Sequence, residues 1–198
     1  MKKNNIVITD TPSSEQIKSE IIRYKYNIKF NNTLRNTIYA LITVAAFAVL
    51  VATLWMPVLQ IYGSSMTPTL DKNEIVVSLK SSHFETGDIV AFYHGNKLLA
   101  KRCIAGPADW VNIDASGTVY VNGKAIDEPY ISEKSFGICD ITLPYQVPED
   151  KYFVLGDHRE TSVDSRSTTV GCIAQDQIVG KILIRVWPLN KIGFIRWN

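Results

Sequence analysis

The sequence is poor in the side chains that most often bind transition metals, with three cysteines and three histidines among 198 residues. Cys103, Cys139 and Cys172 lie far apart without a C-x-x-C spacing, so we predict no structural zinc site. An odd number of cysteines leaves at least one thiol unpaired. The sequence leaves open whether the other two form a disulfide or remain buried free thiols.

Charge of one sign is not concentrated anywhere in the chain. The formal net charge is +2, and the sequence contains neither a block of like charges nor a low-complexity tract. A nucleic-acid-binding protein is expected to carry a concentrated basic stripe, so we predict no nucleic-acid partner. The length suits one globular domain of ordinary size with an additional segment.

A long apolar run is the most informative feature that the sequence does contain. Residues 37–59 read TIYALITVAAFAVLVATLWMPVL and include no charged side chain. As a helix the run would extend roughly 34 Å, which is enough to cross a bilayer core in contact with membrane lipid. A cleaved secretory signal would start closer to the N-terminus and have a shorter apolar stretch. The run therefore predicts one transmembrane anchor.

Basic residues predict the orientation of this anchor. They are more frequent before the span than soon after it, with Lys2, Lys3, Lys18, Arg23, Lys25, Lys29 and Arg35 on one side and Lys72 and Lys80 on the other. Because positive charges favour the cytoplasmic side, we expect residues 1–36 to form a partly ordered cytoplasmic tail. Residues 60–198 would then form a domain outside the cytoplasm, tethered to the cytoplasmic membrane by a single span.

Short β-branched runs indicate that this outer domain is mainly β. EIVVSL, DIVAFY, LLAKRCIAG and KILIRVWPL have the length and composition of strands. DASG at 114–117 and NG at 122–123 are turn signals, and they predict a hairpin-rich insert at about residues 106–149. We expect antiparallel sheets preceded by one transmembrane helix.

Two adjacent serines in GSSMTPTL raise the question of a nucleophile. Ser64 and Ser65 need a base, and a triad through the Asp-His pair of GDHRE stays open on composition alone. A neutral lysine is the other suitable base, and Lys101 in LLAKRCIAG has apolar flanks whose burial would lower its pKa. The alternative for Lys101 and Arg102 is that they are charged residues of an edge strand that prevent aggregation.

Four motifs, taken in order, resemble a known family. GSSMTPTL, TGDIV, AKRCIAGPAD and GDHRETSVDSR follow an N-terminal anchor, and together they resemble the type I signal peptidases of bacteria, most closely the compact single-anchor form. The resemblance runs from the apolar span to about Ile184. It implies a serine endopeptidase with a signal-peptidase-like fold related to that of LexA-like proteases. It also implies that neither a metal nor an organic cofactor is needed.

The resemblance implies roles for individual residues of these motifs. Ser65, which precedes the methionine, matches the nucleophile, and Lys101 matches its general base. Ser162 matches the serine that orients the lysine amine. Two supporting charged pairs match as well, Asp164 with Arg166 and Asp157 with Arg102. Gly63 stands where some members carry a serine hydroxyl for the oxyanion, so the backbone N–H of Ser65 is one predicted donor and the second stays open.

The substrate is expected to bind as an extended strand with alternate side chains in small pockets. Five apolar residues near the two reactive motifs are candidates for lining these pockets: Ile61, Met66, Leu70, Leu99 and Ala100. His158 and Thr161 stand where asparagine is common in the family, which leaves the local loop geometry open.

The resemblance implies that the chain removes signal peptides from exported preproteins at the outer membrane face. Cleavage would follow small residues of the Ala-x-Ala type and pass through an acyl-enzyme. Its partners would be preprotein signal peptides and membrane lipid. Two alternatives stay open, a membrane-tethered β domain that binds peptides without cutting them and a self-cleaving serine-lysine protease of the LexA-like type.

Overall fold

The structure is a computed structural model that describes residues 12–81 and 83–195. The chain divides into two units, Met1–Leu50 and Val51–Asn198. The first unit contains most of one long helix, and the second contains two antiparallel β-sheets. The predicted order of an apolar N-terminal helix followed by a mainly β domain is confirmed.

The long helix, α1, runs from Ser14 to Trp55 and is capped at its start. The Ser13 N–H donates to Gln16 Oε1 at 2.8 Å, and the Gln16 N–H donates to Ser13 Oγ at 3.3 Å, which is a capping box. None of the helix residues is buried, and the helix is long and apolar enough to cross a membrane. The expected tail at 1–36 is therefore helical from residue 14 onward, and its first eleven residues lie outside the described part.

The C-terminal end of α1 differs from the predicted end of the span. We expected the apolar run to stay helical to Leu59, but the helix ends at Trp55 and residues Val58–Gln60 form a strand. Pro57 lacks an N–H to continue the helical ladder. Its carbonyl instead accepts a hydrogen bond from the Ser78 N–H at 2.9 Å. The last residues of the apolar run thus begin the β domain.

Twelve strands form the two sheets in the described residues. They are β1 (Val58–Gln60), β2 (Ile75–Leu79), β3 (Ile89–His94), β4 (Lys97–Ala105), β5 (Trp110–Ile113), β6 (Val119–Val121), β7 (Lys124–Ala125), β8 (Tyr145–Gln146), β9 (Lys151–Leu155), β10 (Ile173–Ala174), β11 (Ile178–Trp187) and β12 (Gly193–Phe194). The larger sheet has the order β1-β2-β11-β3-β4-β9-β10, with β12 also paired to β11. The four runs quoted above as predicted strands correspond to β2, β3, β4 and β11.

Strand β4 lies inside the larger sheet. Its Lys101 is paired with Val90 of β3, and its Arg102 is paired with Leu155 of β9. The two basic residues are 3% and 1% exposed. An edge strand would leave one side of the backbone unpaired and its charged side chains in solvent. The edge-strand alternative for these two residues is therefore wrong.

The smaller sheet forms the predicted hairpin-rich insert. Its order is β7-β6-β5-β8, and the turn between β6 and β7 places Asn122 at φ 51° and Gly123 at φ 78°. Two successive positive φ values are what a tight two-residue hairpin turn requires. One core cluster packs Val111 and Val119 of this sheet against Phe153 and Leu155 of β9. The insert is thus joined to the main sheet by buried apolar contacts.

The three cysteines are free thiols in this structure. Cys103 is 1% exposed, and burial raises the pKa of its thiol to about 12, whereas Cys139 is half-buried in a loop. Alkylation by iodoacetamide in native buffer should therefore modify Cys139 well before Cys103, because the thiolate is the reactive form. Mass spectrometry of timed samples gives the order. A peptide pair joined by a disulfide before reduction would contradict the prediction.

Candidate active site

Ser65 lies on a loop that is closed at its base by backbone hydrogen bonds. The loop spans residues 61–74. The Ile61 N–H donates to the Glu74 carbonyl at 2.9 Å, and the Asn73 N–H donates to the Ile61 carbonyl at 2.7 Å. Within the loop Ser65 is half-buried, in a run of turns without strand pairing. Its position therefore depends on contacts other than a sheet ladder.

Met66 and Leu70 attach this loop to the core. Their side chains are 1% and 0% exposed, and they pack with Val76, Ile89 and Ile182 of the main sheet. We predicted both as pocket-lining residues. The structure instead places them beneath the surface, because the turns after Ser65 direct these apolar side chains into the core, where their burial stabilises the loop.

The other three predicted pocket residues lie at one small cleft of about 30 Å³. The cleft is lined by residues 59–62, by residues 98–100, and by Ala91 and Ile182. The structure thus brings Ile61, Leu99 and Ala100 together. The two lining stretches lie just before Ser65 and Lys101 in the chain.

The surroundings of Lys101 favour the neutral form of its amine more than water does. Its Nζ donates a hydrogen bond to Ser162 Oγ at 2.8 Å. Burial lowers the pKa of Lys101 from 10.5 to about 8; nearby Asp164 opposes this shift, Arg166 adds to it, and Asp157 opposes it. The change corresponds to about 3 kcal/mol between the charged and neutral forms. An amine with this pKa is a competent base near neutral pH.

Gly156 brings Ser162 and Ser65 close together. A Cβ at this position would lie 2.1 Å from Ser162 Oγ and 2.6 Å from the Ser65 carbonyl oxygen. The Ser65 carbonyl also accepts a hydrogen bond from the His158 N–H at 3.1 Å. Ser162, which holds the Lys101 amine, is therefore a direct neighbour of the serine loop. The structure thus gathers the two predicted reactive residues and the predicted orienting serine in one place.

Both predicted charged pairs are formed and fully buried. Arg102 donates from Nε to Asp157 Oδ1 at 2.8 Å and from Nη2 to Oδ2 at 2.6 Å. Arg166 donates from Nε to Asp164 Oδ1 and from Nη2 to Oδ2, both at 2.9 Å. All four side chains are at most 1% exposed. Two-point pairing with arginine satisfies each carboxylate, so neither needs the Lys101 ammonium as a counter-ion.

The histidine triad left open by the sequence is not formed by this geometry. The His158 ring is hydrogen-bonded through Nδ1 to Thr161 Oγ1 at 2.8 Å and is exposed. The carboxylate of Asp157 is held by Arg102. A triad needs the carboxylate on the imidazole and the imidazole on the serine hydroxyl. Residues 158 and 161, where the family commonly has asparagine, therefore bond to each other and shape the loop.

Three further charged or aromatic residues extend the site, and no sequence pattern selects them. The guanidinium carbon of Arg102 lies 3.6 Å from the centre of the Tyr130 ring, whose hydroxyl donates to Glu128 Oε1 at 3.0 Å. Glu128 in turn forms a buried ion pair with Arg159. Arg159 belongs to the last motif, but Glu128 and Tyr130 come from the insert. Only the folded chain joins them.

A buried lysine amine that is hydrogen-bonded to one serine, beside a loop that carries another serine, fits the serine-lysine class of peptidases. Comparison with known proteins agrees with this class. The model of the family described as "Signal peptidase, peptidase S26" matches residues 34–187. The chain therefore belongs to the signal peptidase family, peptidase S26, and it is a serine peptidase.

Two relatives support the same assignment by sequence identity. The chain is 38% identical over 155 residues to signal peptidase IB of Staphylococcus aureus (strain MRSA252), covering 68% of this chain and 79% of the relative. It is 34% identical over 164 residues to signal peptidase I of Bacillus amyloliquefaciens, covering 77% and 88%. A crystal structure of a signal peptidase I from Enterococcus faecalis V583 is 30% identical, covers 50% of this chain and 96% of its own, and aligns with a TM-score of 0.43.

Replacement of Gly156 tests the close approach at the site. Gly156→Ala should lower peptidase activity by about 100-fold, because the added methyl must push Ser162 or the serine loop away from Lys101. Gly193→Ala is the matched control, since a Cβ there has no heavy atom within 4 Å. Cleavage rates and thermal midpoints of both variants provide the measurement. An active Gly156→Ala enzyme would show that the approach is not needed.

Proposed function

We propose that this peptidase removes the signal peptides of exported preproteins with Ser65 as the nucleophile and Lys101 as the general base. The observation that carries the proposal is the buried Lys101 amine, whose pKa is lowered to about 8 and which is hydrogen-bonded to Ser162 beside the serine loop. A hydroxyl becomes an effective nucleophile only when a base takes its proton.

In the proposed mechanism, neutral Lys101 accepts the proton of Ser65 Oγ as that oxygen attacks the scissile carbonyl. The tetrahedral intermediate collapses when the Lys101 ammonium gives this proton to the leaving amine of the mature protein. The signal peptide then remains as an ester on Ser65. Water attacks this ester, Lys101 accepts its proton and gives it to the departing Ser65 Oγ, and the signal peptide is released with a free carboxylate. Every proton transfer uses the same amine.

The negative oxygen of the intermediate would accept a hydrogen bond from the Ser65 backbone N–H. Gly63 leaves room beside this group. A Cβ at position 63 would have the Ser65 nitrogen, at 4.0 Å, as its nearest neighbour, and the residue is exposed. An approaching carbonyl oxygen therefore meets no side chain from this position.

The proposed specificity is for small residues before the cut, of the Ala-x-Ala type. The cleft at Ile61, Leu99 and Ala100 is small, about 30 Å³, and its mainly apolar lining suits a small side chain such as that of alanine. The described pairing of β4 with β9 begins at Arg102, so the preceding β4 residues are paired on their β3 side alone. A substrate strand can add at this edge and direct alternate side chains toward the cleft.

The proposed place of cleavage is the outer face of the cytoplasmic membrane. Members of this family are membrane-anchored, and α1 is consistent with such an anchor. The basic residues before the span favour a cytoplasmic N-terminus. From the end of α1 at Trp55 to Ser65 the chain can reach at most about 34 Å. The nucleophile would therefore act close to the membrane, where the signal segment of a preprotein is embedded.

Cleavage should depend steeply on pH. Because the base must be neutral and its pKa is about 8, the rate of acylation should rise tenfold per unit up to about pH 8 and then level off. Single-turnover cleavage between pH 5 and 10 measures this profile. A rate that stays constant from pH 5 to 9 would be incompatible with a neutral lysine base.

Substitution of the two reactive residues tests the assignment directly. Detergent-solubilised wild type should cleave a precursor with an Ala-x-Ala site after the second alanine, as read from the new N-terminus of the product. Ser65→Ala and Lys101→Ala should each lose at least about 10³-fold in rate. Ser64→Ala, a change at the exposed neighbour, is the control and should stay active.

The same experiment separates the two alternative functions. A folded wild-type protein that binds the precursor but leaves it intact after long incubation would favour a peptide-binding domain. A wild-type chain that shortens by itself, while Ser65→Ala stays at its full mass, would favour self-cleavage.

A further inference from the structure

Thr69, four residues after Ser65, is held from two sides of the loop. Its hydroxyl donates to Asp157 Oδ2 at 2.5 Å and accepts from Arg102 Nη2 at 3.2 Å. Its backbone carbonyl accepts a hydrogen bond from Arg185 Nη2. The Thr69 side chain is thus bonded to the Asp157–Arg102 pair, and its backbone carbonyl is bonded to Arg185 of strand β11.

Arg185 also binds the base of the same loop. Its Nε forms an ion pair with Glu74 Oε2 at 2.8 Å, and the Glu74 side chain is 3% exposed. The Glu74 carbonyl is the group that closes the loop through the Ile61 N–H. A buried carboxylate needs a counter-charge, and Arg185 is nearer to it than Lys191, whose Nζ lies 4.0 Å from Glu74 Oε1. The same guanidinium that reaches the Thr69 carbonyl therefore also neutralises Glu74.

We propose that Arg185 and Glu74 are positioning residues, which hold the loop so that Ser65 Oγ stays within reach of the Lys101 amine. The proposal rests on the proposed function of Ser65 and Lys101. Neither positioning residue belongs to the four motifs, and neither contacts the reacting atoms. The serine loop has no strand pairing, and Arg185 links its middle to its base and to the sheet.

Loss of this link should lower kcat and leave substrate binding intact. Arg185→Gln is expected to reduce kcat by about 10- to 100-fold, as for a small misplacement of a reacting group, with KM changed less than about twofold. The rise of the rate with pH should remain centred near 8, because the surroundings of Lys101 are unchanged. Arg185→Lys, which keeps the charge and one donor, should recover part of the rate.

Lys181→Gln is the matched control. Lys181 lies on the same strand and forms an ion pair with Asp88 at 2.5 Å, away from the serine loop. The proposal is overturned if Arg185→Gln lowers kcat no more than this control does. It is also overturned if Arg185→Gln raises KM and leaves kcat unchanged. Should Arg185→Gln fail to fold, Glu74→Gln decides the question, since it releases the guanidinium without leaving a buried negative charge.

Hydrogen exchange tests the link without any substrate. The Thr67 and Leu70 amides are hydrogen-bonded inside the loop, to the carbonyls of Ser64 and Met66. In Arg185→Gln they should exchange at least tenfold faster than in wild type, while the β9 amides keep their rates. Unchanged loop exchange would overturn the proposal. If wild type cleaves no precursor, the proposed function fails, but this measurement still decides whether Arg185 holds the loop.

Discussion

A lysine amine can act as a base near neutral pH only if the protein lowers its pKa far enough to leave part of it uncharged, and the remainder of this site is organised around that constraint. Lys101 is 3% exposed, and its Nζ bonds to the hydroxyl of Ser162 rather than to a carboxylate. A hydroxyl accepts a hydrogen bond from the neutral amine without stabilising the ammonium as strongly as an anion would. The lowering of the Lys101 pKa by burial therefore exceeds the increase caused by Asp164 and Asp157.

Arg102 and Arg166 allow the pKa of Lys101 to stay low although two aspartates lie nearby. Asp164 and Asp157 both raise the pKa of Lys101, so either of them left unpaired would favour the ammonium. Each is bound at two points by its own arginine, Arg166 or Arg102, and Arg166 itself lowers the lysine pKa. The pairs thus have an electrostatic role in addition to a structural one. Removing one partner would leave a buried charge that changes the protonation of the base.

The parts of this structure that follow from local sequence could be predicted, and the parts that follow from distant contacts could not. The apolar run, the hairpin signals and the strands β2, β3, β4 and β11 are local patterns. Ser162 and the two charged pairs were predicted only because their motifs resemble a family. The ion pair between Glu128 and Arg159 joins positions 31 residues apart, and no local spacing indicates it. The burial of Met66 and Leu70 depends on turns whose direction the sequence pattern does not specify.

The two proposed reactive residues are held by different kinds of structure, and this difference has a physical reason. Lys101 lies on a strand, where it pairs with Val90 of β3, and the next residue, Arg102, pairs with β9, so the backbone of a residue that must stay desolvated is fixed by the sheet. In the proposed mechanism Ser65 presents its oxygen to a substrate bound as an extended strand, and a backbone enclosed in a ladder would block that approach. A loop leaves the backbone of Ser65 accessible, but other contacts must hold the loop in place. After the serine, these contacts come from the side chains of Met66, Leu70 and Thr69. Before the serine, Gly63 and Ser64 are exposed, on the side where the substrate is proposed to approach.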